Sequence, residues 1–235
     1  MPKLIFEINK EQDLNLFLAV LRKDDPAGLE SRAFDLDIPL EIAQKIADNP
    51  KEAYPEIKEI VDLKYTSLES FAKESVRLYQ ESWNKINDNF FDLLENKTGC
   101  KMKFDEYLCI VSLFHKGISS WSGNRIARIW SENHYTMRKI TAHEIIVSHI
   151  FHLVKSKYAS KELEDNEIWK FAELSAWVLT GLDDDFTKFW PWIKSSERWN
   201  KNHNYPQLAA MQDEVREIYL SSDNFISFFE KMMEM

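Results

Sequence analysis

Glycine is scarce in this chain, with 5 in 235 residues. Glycine enters φ > 0 at little cost, so folds with many tight β-turns, and phosphate loops made of glycine runs, draw on it heavily. Its shortage argues against a β-rich fold and against nucleotide folds that rest on such loops. Cysteine is also scarce: Cys100 and Cys109 stand nine apart without a CxxC pattern. Neither a disulfide framework nor a structural zinc knuckle is indicated, and two reduced thiols in a cytoplasmic protein are expected. No apolar run approaches the ~18 residues of a membrane span. The apolar run at Met1–Glu7 is too short for a signal peptide. Basic charge is in deficit, 30 Lys and Arg against 39 Asp and Glu for a net −9. That balance argues against nucleic acid as the main partner.

What the chain has instead is apolar and aromatic bulk. Hydrophobic residues make up 44% and charged residues 29%, with 15 Phe, 8 Tyr and 8 Trp. This is enough apolar surface to offset chain entropy and to build a sizeable core without staples. The length fits one domain over residues 1–235. The oligomeric state is not legible.

The patterning predicts an α+β chain, predominantly helical, with a small mixed sheet of about three strands. Lys3 to Ile8 reads as a short strand, Tyr107 to Phe114 as a nearly all-apolar one, and Arg125 to Trp130 as a half-buried one. Helical spacing is present in Glu11 to Leu21, with Asp24-Asp25-Pro26-Ala27-Gly28 as its stop. A second helix is expected from Pro39 to Asn49. Thr66-Ser67-Leu68-Glu69 has capping-box spacing and predicts the start of a long helix ending at Gly99. Further helices are predicted over Ile140 to Val154, Glu167 to Thr180 with Gly181 as its stop, Gln207 to Leu220 and Asn224 to Met233. Asp183 to Asp185 is placed to cap a short helix before Pro191, and Lys155 to Asn166 reads as a charged connector.

The segment with chemistry in it is Thr141-Ala142-His143-Glu144-Ile145-Ile146-Val147-Ser148-His149-Ile150-Phe151-His152. A His-Glu pair in an apolar helix that follows two strands resembles the active-site helix of the zincin metallopeptidases. The resemblance spans roughly residues 66–181, a zincin-like core, and leaves 182–235 as a helical C-terminal part. It implies Zn2+ held by histidines and a Glu acting as general base on metal-bound water. In the gluzincin branch it implies a further Glu ligand from the next helix. Glu173, in Phe171-Ala172-Glu173-Leu174-Ser175-Ala176-Trp177, is the matching residue. An acid among Trp169, Phe171 and Trp177 is costly unless paired or coordinating. Under this reading His143, His149 and Glu173 are the metal ligands and Glu144 the catalytic base. The reaction is hydrolysis of a peptide or protein substrate, held on Arg125 to Trp130 as the sheet edge.

One position departs from the pattern. The superfamily's second His, four after the first, is Val147 here, and the next histidine is His149, six after His143. Residues four apart lie about 40° apart around a helix, and residues six apart about 120°. His143 and His149 therefore share a metal only if a π-bulge or unwinding brings them round. Three readings stand open: an active zinc peptidase, a zincin-like fold without metal or catalysis, and an unrelated helical module that binds a protein partner. The last would use the aromatic cluster of Phe186, Phe189, Trp190, Trp192 and Trp199 around Pro191, whose alternative role is core packing. His203 and Tyr205 match by type the oxyanion-stabilising residues of zincins, or form a capping loop before Pro206. His115 and His134 lie near strand ends. Ser119, Ser120 and Ser122 lack a His-Asp pair in a recognisable order, so a serine hydrolase has little support.

Overall fold

In the computed structural model the described residues are 1–21, 28–115, 117–193 and 205–235. The order is β1 (Lys3–Glu7), α1 (Lys10–Val20), α2 (Leu29–Leu36), α3 (Leu40–Asp48), α4 (Pro50–Asn84), α5 (Asn87–Thr98), β2 (Glu106–Ser112), β3 (Gly117–Ser119) and β4 (Arg125–Ile129). Then follow α6 (Met137–Lys157), a single 3-10 turn at Ala159–Lys161, α7 (Asp165–Gly181), α8 (Asp184–Thr187), α9 (Pro206–Leu220) and α10 (Phe225–Met232). The chain is thus mostly helical with a small mixed sheet, as the patterning predicts.

The sheet has four strands in the order β1-β2-β4-β3. The fourth, β3, is too short to leave a periodic signal, and its residues read as turn. β1 pairs parallel with β2, and β2 parallel with β4. Parallel neighbours need a long crossover, and the five helices α1 to α5 supply the first one. β3 pairs antiparallel with β4. β4 is therefore an inner strand, and the expectation that Arg125 to Trp130 forms the edge is corrected: β3 holds that edge.

The helix starts were partly misread. α4 begins at Pro50, with proline at the first helical position, where its missing N–H costs nothing. Thr66 and Ser67 lie mid-helix and donate their hydroxyls to the carbonyls of Asp62 and Leu63, one turn back. The capping-box spacing is thus unused, because the helix had already formed on its N-terminal side. α2 is short and was not anticipated. Gly99 does take the left-handed cap, at φ 57°. Gly181 does not; α7 runs through it and closes at Leu182 in ordinary helical geometry. Asp183 caps α8 by accepting from the amides of Asp185 and Phe186.

Two apolar clusters result. The larger joins the sheet face carrying Phe6, Tyr107, Cys109 and Ile126 to Trp83, Phe90, Phe91, α6, α7 and the C-terminal helices. The smaller gathers α1 to α3, the first half of α4 and Leu113–Phe114. Ile8 and Trp130 pack against both. Full burial of each such side chain contributes about 1.5–3 kcal/mol. Among the described residues, no helix is long and apolar enough to cross a membrane.

Candidate functional site

α6 lies against β3, β4 and α7, so its exposed corner looks onto the sheet edge and the next helix. Five side chains from three elements meet there. The Nε2 of His143 lies 2.9 Å from the Glu173 Oε2 on α7. The other Glu173 oxygen accepts from the Trp169 indole Nε1 at 3.0 Å, one turn earlier on α7. Ser119, on the edge strand, donates its hydroxyl to Glu144. Both members of the His143–Glu173 pair keep about one sixth of their side-chain surface exposed, 17% and 15%.

Aromatic rings wall this corner. Trp121, in the β3–β4 turn and 43% exposed, stacks on Trp169 at 5.6 Å between centroids and on Phe151 at 6.1 Å. Tyr205 meets Trp169 edge-on at 4.8 Å. The turn needs Gly123, because a Cβ there would run into the Ser120 side chain. Ser148 of α6 donates to the Gly123 carbonyl and pins the turn to the helix.

The charges at the corner hold each other's protons. Burial pulls the His143 imidazolium down, but the hydrogen bond and charge of Glu173, with the charge of Glu144, outweigh it and hold His143 above the ordinary histidine range. Burial pushes the Glu144 carboxyl up, and the Glu173 charge adds to this against His143, Ser119 and Arg128.

His149 is elsewhere. It is 0% exposed, and its Nε2 lies 2.8 Å from the Thr98 hydroxyl of α5. That hydroxyl spends its own proton on the Leu94 carbonyl at 2.8 Å. Nε2 therefore carries the hydrogen and donates to Thr98, which leaves Nδ1 bare, buried and without a partner. Burial, with the charges of His152 and Lys157, pushes this imidazole down to about 3.

The ligand set His143, His149 and Glu173 does not converge. α6 is α-helical throughout, with no bulge to rotate His149 toward His143. Val147, one turn after His143, is fully buried and brings no donor atom. His143 Nε2 and Glu173 Oε2, 2.9 Å apart, are spaced much as two ligands of one metal would be, but neither Val147 nor His149 adds a third. Among the described residues, no group of three or more His, Cys, Asp or Glu side chains is arranged to hold a metal. The residues present do not fit the implied zinc.

The remaining candidates separate. His115 is buried beyond β2, with an unpartnered Nε2, and is pushed down to about 4 by burial and the charge of Arg32. His134 stacks on Tyr135 at 4.2 Å. Neither is among the partners of His143, Glu144 or Glu173. His203 and Trp199 lie outside the described residues, as does most of the Asp24 to Gly28 stop; Tyr205 does reach the Trp169 corner. Of the Pro191 aromatics, Trp190 and Phe186 are fully buried and Trp192 is 46% exposed. Ser119 and Trp121 were missed as members of the site. They sit about one helix-length of sequence before α6, and contact across the sheet edge leaves no local pattern to read.

No protein-family model, no curated protein and no solved structure matches this chain.

Proposed function

We propose that this protein is a zincin-like scaffold that binds a peptide or protein partner without hydrolysing it. The observation that carries the reading is the lack of a second imidazole beside His143 and Glu173: Val147 stands in its place and His149 is committed to Thr98. Support for the scaffold comes from an edge strand antiparallel to its neighbour, beside a His-Glu helix whose next helix returns a Glu. Support for binding comes from the open side of β3, where an extended chain can add a strand, and from the half-exposed Trp121 next to it.

The test is metal content and cleavage. Protein purified without chelator should contain zinc far below one ion per chain, its melting temperature should not respond to zinc, and it should leave casein and mixed peptide libraries intact. Stoichiometric zinc, together with cleavage that disappears in Glu144→Gln, would establish the zinc-peptidase reading in its place.

A further inference from the structure

We propose that the surface where the end of α4, the start of α6 and residues 188–193 meet is a docking site for an acidic peptide segment of a protein partner. Its centre is Arg138, a cation only 5% exposed. The guanidinium donates through Nε to the Ser82 hydroxyl at 2.8 Å, through Nη2 to the Ser82 carbonyl at 2.7 Å and through Nη1 to the Phe189 carbonyl at 3.3 Å. All three acceptors are uncharged. Among the described residues no carboxylate forms an ion pair with it, so within them this buried charge has no counter-ion. That arrangement is expensive in a protein interior.

The surroundings add to the positive field. The first turn of α6 holds no acid, and what faces the helix start is the uncharged Asn133 amide oxygen, which accepts from the amides of Tyr135 and Thr136. Lys85, on an exposed position, lies 6.0 Å over the Tyr135 ring. This is a basic spot on a chain of net charge −9.

Tyr135 and Trp192 frame the guanidinium at 5.5 and 5.4 Å, with their rings 5.2 Å apart at 64°. Both are open to solvent, at 39% and 46% exposure. Arg, Tyr and Trp together are the residue types that carry binding energy at protein interfaces. A partner's carboxylates would meet Lys85 and the field of Arg138, and its apolar side chains would lie on the two rings. The surface is separate from the His143 corner, and the proposal stands whether or not that corner binds zinc.

The experiment is fluorescence anisotropy with a short fluorescein-labelled peptide rich in glutamate and leucine, and its lysine counterpart as control. The acidic peptide should bind saturably, more weakly as salt is added, and the lysine peptide should not. Lys85→Glu and Trp192→Ala, both at exposed positions, should keep the circular dichroism of the parent and weaken binding on the order of tenfold each. Absence of saturable binding, equal binding of the two peptides, or unchanged affinity in both folded variants would overturn the proposal.

Discussion

His143 of α6 and Glu173 of α7, 30 residues apart in sequence, meet at 2.9 Å between Nε2 and Oε2. The pair raises the imidazole above its ordinary range. A raised histidine contributes stability that is complete below its unfolded pKa of about 6.5 and is lost as pH rises through the folded value. Glu173→Gln removes the charge and leaves burial acting on the imidazole. The variant should lose about 1.5–3 kcal/mol at pH 6, the range for a hydrogen bond to a charged group, with the gap closing at higher pH. Its His143 should titrate lower than in the parent by NMR. An unchanged imidazole titration would mean that the pair does not form in solution.

His149 acts in the opposite direction. Its folded pKa is depressed to about 3, so the unfolded chain takes up a proton that the folded one refuses. Stability from this group is complete above about pH 6.5 and falls below it, by about 2 kcal/mol on reaching pH 5 at one proton's worth per pH unit. His149→Leu leaves Thr98 bonded to the Leu94 carbonyl. In urea melts at the two pH values the variant should lack this share of the acid-side loss, while the share from His115 persists. An acid limb as steep as the parent's would show that His149 is not held neutral.

Asp13 ties α1 to the end of β2. It is fully buried and accepts from the Leu113 amide at 2.9 Å, the Tyr65 hydroxyl at 3.2 Å and the Ser112 hydroxyl. Asp13→Ala strands those donors, at about 1–3 kcal/mol for each one left unsatisfied. Burial raises the carboxyl's pKa above its usual value despite these bonds. Its stabilising share is therefore present at low pH and is lost as pH rises through the folded pKa. Asp13→Asn, which is never charged, should cost clearly less than Asp13→Ala at pH 7. Equal losses in chemical denaturation would argue against the buried-charge account.

The helices around Ile145 and Trp177 were legible to within a few residues, because each is a long apolar run buried over most of its circumference. α2 and β3 were not, being short. Thr66 misled because a capping sequence acts only where a helix actually starts, and α4 was already helical from Pro50. Within the site, the types and positions of His143, Glu144 and Glu173 could be read from the chain. Their partners Ser119 and Trp121 could not, since they arrive across a sheet edge.

By itself the sequence determined the helical character and the apolar core, which follow from composition and from the angular repeat of a helix. The tertiary structure alone decided which groups satisfy which. It paired His143 with Glu173, committed His149 to Thr98, moved the sheet edge from β4 to β3, and divided the Pro191 aromatics into a buried Trp190 and an exposed Trp192. The reason is physical. A buried polar group must find a partner wherever the fold brings one, and that partner is a matter of distance in space, with no period along the chain.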